Sequence, residues 1–253
     1  MSDDILGAAI DAAARALAAA TSVVVFTGAG VSAESGIPTF RSGANALWSN
    51  ADIAQFANPT GYRRRPHDAW SWYAKRAQVA REAQPNAAHH AIAEIERRVS
   101  SFVLVTQNVD GLHRRAGSAN VIELHGTLRR ARCFACSRYS EWPEPPGEPT
   151  CGDCGGLLRP DVVMFEEMLP EGAMEAAIDA ARACDVLFSV GTSALVWPAA
   201  EIPRAAVNAG KTVVVVNPDL EGHPWGRTTI SVRGAAGAVL PRVVERAWNR
   251  EQR

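Results

Sequence analysis

Short apolar runs alternate with longer stretches of helical periodicity along this chain. Val23–Phe26, Phe102–Val105, Val121–Leu124, Val186–Val190 and Val213–Val216 are mostly apolar and rich in β-branched residues. Such runs read as strands buried on both faces. Thr229–Val232 adds a sixth, weaker candidate. Helical patterns occupy Asn86–Val99, Glu171–Ala183 and Trp197–Ala209, and the alanine-rich Met1–Ala20 reads as an amphipathic surface helix. Strand alternating with helix predicts an α/β fold, a parallel sheet with helices on both faces. Two stretches break the alternation. Residues 42–84 are helical and aromatic, with Trp48, Phe56, Trp70, Trp72 and Tyr73, and residues 129–157 hold four cysteines. Both read as insertions that together form a smaller module. The expected division of the 253 residues is a sheet part at 1–41, 85–128 and 158–253, with the module at 42–84 (helical) and 129–157 (cysteine-bearing), all within one catalytic domain.

Composition narrows the function. The formal net charge is −1, which points to neither a nucleic-acid nor a membrane surface. Arg63-Arg64-Arg65 is the one basic cluster and reads as a solvated loop. The N-terminus carries Asp3, Asp4 and Asp11 and lacks the build of a secretory signal. The expected location is the cytoplasm.

Four of the five cysteines form Cys133-x-x-Cys136 and Cys151-x-x-Cys154, separated by 14 residues. Paired knuckles of this kind suit one tetrahedral zinc. Four thiolates close its shell, so the metal is expected to be structural. Disulfides or redox thiols are the alternative, disfavoured in a reducing compartment. Cys184 reads as a small buried residue.

The first strand runs into Gly28-x-Gly30-x-x-Ala33, the dinucleotide fingerprint of a Rossmann-like sheet. In that pattern the first glycine makes the turn, the second admits a pyrophosphate, and the third, small position allows helix–strand packing. The continuation departs from the hydride-transfer pattern. It turns polar, carries Pro38 and Arg41, and brings no acidic residue at the end of a second strand near Asp52. A dehydrogenase is thereby disfavoured. Gly28, Gln107, His125, Gly191 and Asn217 all follow strand ends, so they can converge on one crevice. His125 suits a general base, or is a histidine packed in the core. Gln107, Asn108 and Asp110 can order a ribose, a water and a carboxamide, or merely turn the chain before Gly111. Gly191-Thr192-Ser193 and Asn217-Pro218-Asp219 suit phosphate or ribose, or a turn and a helix cap.

GAGVSAESGIPTFR resembles the nucleotide loop of sirtuins, the NAD-dependent protein-lysine deacylases. The resemblance recurs at TQNVDGLH (106–113), ELHG (123–126), both CxxC pairs, VGTS (190–193) and VNPD (216–219), in the family order and over residues 20 to 241. It implies NAD as co-substrate held by Gly28, Ala29, Gly30, Ser32, Phe40, Arg41, Trp48, Gln107, Asn108, Val109, Asp110, Gly191, Thr192, Ser193, Asn217, Pro218, Asp219 and the backbone at Ala235. It implies His125 as the base that activates a ribose hydroxyl, Asn108 as its catalytic companion, His113 behind them, and structural Zn2+ on Cys133, Cys136, Cys151 and Cys154. Val162–Glu167 resembles the strand on which an acyl-lysine peptide adds by main-chain hydrogen bonds, with Val162 and Phe165 as contacts. Two departures stand out. Glu166 replaces the family's usual glycine, and the loop between Arg41 and Trp48 carries one extra residue.

Tyr73 and Arg76 stand at i and i+3 of one helix, side by side, and can share a carboxylate, or are simply a packed tyrosine and a surface arginine. With Ala57, sixteen residues before Tyr73, they resemble the class III pattern, in which a small alanine widens the acyl pocket and the Tyr and Arg hold the acid end of a succinyl, malonyl or glutaryl group. The expected activity is therefore a desuccinylase and deacetylase that releases nicotinamide and O-acyl-ADP-ribose. Its partners are acyl-lysine proteins, with no nucleic acid and no membrane, and the working unit is a monomer. The rivals are a protein ADP-ribosyltransferase and a non-catalytic NAD- or ADP-ribose-sensing module.

Overall fold

The computed structural model describes residues 3–38, 55–142, 149–194, 196–220 and 226–248. Helix α1 (Asp3–Ala19) leads to β1 (Ser22–Thr27) and a 3-10 turn (Ala29–Ser35). Helices α2 (Pro59–Arg64), α3 (Pro66–Glu82) and α4 (Ala87–Arg98) follow. Then come β2 (Ser101–Thr106), α5 (Leu112–Arg115), β3 (Val121–Glu123), β4 (Gly126–Cys133), β5 (Tyr139–Glu141) and β6 (Leu158–Val162). The chain continues with α6 (Ala173–Ala183), β7 (Val186–Val190), α7 (Glu201–Asn208), β8 (Thr212–Asn217), β9 (Thr229–Arg233) and α8 (Ala236–Trp248).

Six strands form a parallel sheet in the order β3-β2-β1-β7-β8-β9. All six are the expected ones, within a residue or two at each end. Alternate side chains enter two different cores. Val23, Val25, Phe188 and Val214 pack under α1, α4 and α8. Val24, Phe26, Leu187 and Val213 pack under α6 and α7. Burial on both faces is why these strands are apolar throughout. The strand order reverses between β1 and β7, which opens a crevice at their carboxyl ends, the usual place for a ligand. This is the Rossmann-like α/β architecture, accompanied by a smaller helical and cysteine-bearing module.

The module has a core of its own, built from Tyr62, Trp70, Tyr73 and Ala77 on α2 and α3 and from Leu128, Ala131, Leu158 and Val162 on strands. Those strands, β5-β4-β6, form an antiparallel sheet that the sequence pattern did not announce. In β4 the polar Arg129, Arg130 and Arg132 and a register shift between Thr127 and Ala131 break the period-two signal. Arg63-Arg64-Arg65 is not a loop. Arg63 and Arg64 form the last turn of α2, and Arg65 sits at the break forced by Pro66 at the start of α3. Helix α4 opens on a capping box, with Asn86 accepting from Ala88 N and His89 Nδ1 accepting from Asn86 N. Helix α3 ends under Arg115, whose guanidinium donates to the carbonyls of Ala80, Arg81 and Ala83. Helix α7 begins at Glu201, four residues later than its pattern suggested, because Val196–Ala200 is taken up in turns. Among the described residues no helix is long and apolar enough to cross a membrane.

Candidate active site

The loops after β1 and β7 are pressed together. Gly28 N donates to Val190 O at 3.1 Å and Gly30 N to Gly191 O at 2.8 Å. A Cβ at Gly30 would lie 2.7 Å from Gly191 O, and one at Gly28 would lie 2.8 Å from Thr192 Cβ. The glycines are thus required by the neighbouring loop itself. Gly191 adds a left-handed φ of 58°. The third fingerprint position behaves differently from expectation. Ala33 is exposed, because a seven-residue 3-10 turn replaces the long helix that would have packed it against the strand.

Gln107, just past β2, is the hub of the crevice. Its Nε2 donates to Thr192 Oγ1 at 3.0 Å and to Thr27 O at 3.3 Å. Asn217 Nδ2 reaches Thr192 O at 3.1 Å, so the ends of β2, β7 and β8 are joined in one polar chain. The carbonyl of Gln107 lies 3.0 Å from His125 Nδ1. A carbonyl only accepts, so the ring proton is assigned to Nδ1 and Nε2 keeps its lone pair. Burial lowers the pKa of His125, against the opposing pull of that hydrogen bond. A neutral imidazole with one free nitrogen in a crevice is equipped to take a proton at neutral pH. Gly126 follows at φ 75°, where a Cβ would strike Asp161 O, so only glycine lets β6 run beside the histidine.

A second network lies beneath the glycine turn. The buried Ser32 Oγ donates to Asp110 Oδ2 at 2.8 Å and accepts from Asn108 Nδ2 at 3.1 Å. Asp110 Oδ1 accepts from Leu112 N, and burial raises the pKa of the carboxyl while these bonds pull it back. His89 Nδ1 is occupied by the Asn86 N–H, so its Nε2 carries the proton and faces Ser32 Oγ at 3.4 Å. His113, its ring tilted 54° to that of His89 with centroids 4.8 Å apart, places Nε2 3.0 Å from Thr27 Oγ1, which itself donates to Thr106 Oγ1. Burial pushes His89 down to about 4 and His113 down to about 3, so both rings are neutral.

The smaller module reaches the crevice through the segment after β6. Val163 N donates to His125 O at 2.9 Å, and Phe165 N to Ala57 O at 2.8 Å. Val162 is buried, Phe165 is partly exposed, and Glu166 is exposed at φ 74°, the conformation that glycine favours. On α3, Tyr73 is buried beside Tyr62, and burial holds its phenol well above the usual range, so it stays a donor. The half-buried Arg76 guanidinium lies 3.4 Å over the Trp72 ring, and its Nη1 donates to Trp72 O. Tyr73 and Arg76 are close enough to affect one another electrostatically, as their helical spacing implied.

Cys133, Cys136, Cys151 and Cys154 bring their Sγ atoms within 4.8 Å of one another, Cys133–Cys154 at 3.6 Å and Cys136–Cys151 at 3.8 Å. These separations are far beyond a disulfide and match the edge of a tetrahedron with Zn–S of about 2.3 Å, which is roughly 3.8 Å. The donor set fits a closed structural zinc. Cys184 is buried and donates to Ala181 O, away from the cluster.

Of the remaining expected residues, Val109 ties its carbonyl to Leu128 N on β4. Ala29 is half-buried, Ser193, Pro218 and Asp219 are exposed at strand ends, and Ala235 opens α8 through its carbonyl. Phe40, Arg41 and Trp48, with the loop insertion, lie outside the described residues. Sequence reading missed Arg159, fully buried and paired with Glu167. An arginine inside the run Leu157-Leu158-Arg159-Pro160 was the available signal, since a buried guanidinium must have a partner.

Residues 28–198 match the Sir2 family. An NAD-dependent protein deacylase of Thermus thermophilus is 52% identical over 217 residues, covering 83% of this chain and 84% of that protein. A protein of the same name from Methylococcus capsulatus is 47% identical over 236 residues, 88% of this chain and 91% of its own. The solved structure of a Sir2 homologue–NAD complex superposes with a TM-score of 0.84 at 40% identity, covering 98% of this chain and 94% of that one. Matched along most of its length in sequence and in fold, the chain belongs to the Sir2 family.

Proposed function

We propose that this chain is an NAD-dependent protein deacylase that removes both acetyl and acid-bearing acyl groups, succinyl and malonyl, from lysine side chains. The observation that carries the reading is His125. Its Nδ1 is committed to Gln107 O, and its Nε2 is left as a base where the strand ends converge. NAD is the co-substrate. Gly28, Ala29 and Gly30 with Gly191, Thr192 and Ser193 line the reversal of strand order and are assigned to its phosphates and ribose. Asn217, Pro218, Asp219 and the Ala235 backbone are assigned to the adenosine end, and Ser32, Gln107, Asn108, Val109 and Asp110 to the nicotinamide end. The acyl oxygen displaces nicotinamide from the ribose carbon. A ribose hydroxyl then gives its proton to His125 Nε2 and takes up the acyl carbon. Water enters, the lysine amine leaves, and the acyl group departs on ADP-ribose. Cys133, Cys136, Cys151 and Cys154 would hold a zinc that stabilises the module and takes no part in these steps.

The acyl pocket is assigned to Ala57, Tyr73 and Arg76, with Val162 and Phe165 beside the peptide. The Tyr73 phenol remains protonated, and stacking on Trp72 fixes the plane of the Arg76 guanidinium for two parallel bonds to a carboxylate. Because Arg76 is only half-buried, an uncharged acetyl group does not strand a dry cation. A free Cys184 and four cysteines set as metal ligands rather than disulfides suit a reducing compartment, and the cytoplasm is the proposed location. A monomer is the proposed working unit.

The test compares acetyl- and succinyl-lysine versions of one peptide with NAD, following lysine release and acyl-ADP-ribose by mass spectrometry. Arg76→Met should lower kcat/KM for succinyl by about tenfold or more and change acetyl by less than about threefold. Equal effects on both would remove the carboxylate role. NAD cleavage with mass added to a protein, and no lysine released, would replace deacylation by ADP-ribosyl transfer.

A further inference from the structure

Arg159 is 2% exposed, yet among the described residues every hydrogen bond its guanidinium makes falls within one short segment. Its Nε donates to Pro160 O at 3.2 Å, and its Nη2 to Val162 O at 2.5 Å and Glu167 Oε2 at 2.7 Å. Its Nη1 meets Glu167 Oε1, completing a two-bond fork. The same carboxylate accepts from Met164 N at 2.9 Å, while Glu167 N donates to Met164 O at 3.1 Å. The pair therefore closes residues 159–167 on themselves. These bonds tie no distant elements together, and a buried ion pair is a poor device for stability when apolar groups could fill the space. What the pair does fix is a shape. The turn inside the loop holds Glu166 at φ 74°, a conformation that persists only when its surroundings over-determine it. Just before Glu166, Val163 N is bonded to His125 O and Phe165 N to Ala57 O.

We propose that Arg159 and Glu167 are a positioning pair for the acyl-peptide substrate, setting the backbone of residues 163–167 between His125 and Ala57. The inference rests on the deacylase reading above. The pair touches neither substrate nor the reacting atoms. It acts through the main chain of the turn, so its removal should impair peptide binding and leave NAD binding alone.

The double variant Arg159→Met/Glu167→Met replaces the pair with apolar side chains of similar length, which commonly preserves stability. In the full-length, zinc-loaded protein we expect a KM for the acyl-lysine peptide raised at least about fivefold, with the KM for NAD within about twofold. Amide exchange of residues 160–168, measured without substrate, should quicken by about tenfold. Glu167→Gln keeps an oxygen for Met164 N and loses the charge, so it should show the same pattern to a smaller degree. It decides the matter if the double variant does not fold. Folded variants with wild-type peptide KM overturn the proposal, whatever their melting temperature, and so does unchanged exchange. If the wild type fails to deacylate the peptide, the functional reading falls, whereas the exchange comparison still judges the clamp.

Discussion

Replacing His113 by phenylalanine should make the protein more resistant to acid. In the folded chain burial holds His113 at about 3, far below its ordinary 6.5. The folded state therefore refuses a proton that the unfolded state accepts as pH falls through 6.5. The stability associated with the neutral ring is fully present above that value and is lost progressively toward the folded pKa. Between pH 7.5 and 5.0 an unfolded histidine takes up almost a whole proton, which costs the folded state about 2 kcal/mol. Phenylalanine occupies the same place against the tilted His89 ring without this liability. Among the described residues His113 Nδ1 has no hydrogen-bond partner to lose, and Thr27 Oγ1 keeps Thr106 when Nε2 is gone. The assay is urea unfolding of both zinc-loaded proteins at pH 7.5 and 5.0. Wild type should lose about 2 kcal/mol more than the variant, a midpoint difference of roughly 0.7–1 M urea. All other titrations are common to both proteins, including the thiolates, His89, and Asp110, whose raised pKa acts in the opposite sense. A difference below about 0.5 kcal/mol would refute the claim that His113 is held neutral by burial.

Three further outcomes follow from contacts already described. Cys154→Ser should reduce bound zinc from about one per chain to near zero and lower Tm by about 5–10 °C, read by metal analysis and calorimetry. Gly30→Ala and Gly191→Ala each force a Cβ into the opposite loop and should each cost about 1–3 kcal/mol. Because they damage one contact, the double variant should cost less than the sum, and strict additivity in denaturant melts would argue against that contact. Glu166→Gly should stabilise the protein by about 0.5–1 kcal/mol, the left-handed penalty of about 1–2 kcal/mol being partly offset by the entropy of the freer unfolded glycine. A loss of stability in thermal melts would show that the Glu166 side chain makes a compensating contact.

The large sheet was legible because its strands are buried on both faces. Val213–Val216 has no choice of environment, so composition alone marks it. The zinc site was legible because four ligands in two knuckles are a local pattern. The crevice was legible for a topological reason, since residues at the carboxyl ends of parallel strands meet wherever the strand order reverses. What escaped notice depends on pairings across distance. Strand β4 alternates poorly in part because Arg130 leans on Asp161 and the Tyr139 ring, partners on β6 and β5. The Gly30–Gly191 contact joins loops far apart in sequence, so the fingerprint's second glycine was credited to a ligand alone. Ala33 was misplaced because the helix it would have packed under is a 3-10 turn.

His89, His113 and His125 share one perturbation, burial that favours the neutral ring, and differ in what their nitrogens face. His89 has both nitrogens committed, to Asn86 N and toward Ser32. His113 has one against Thr27 and the other in the interior. Neither can exchange a proton with a ligand without breaking the layer that supports the glycine turn. His125 has one nitrogen anchored to a main-chain carbonyl and the other in the crevice. A shifted pKa alone would have nominated all three as the base, and most strongly His113. The anchoring of Nδ1 separates them, because a base needs a fixed ring, a free lone pair and access together.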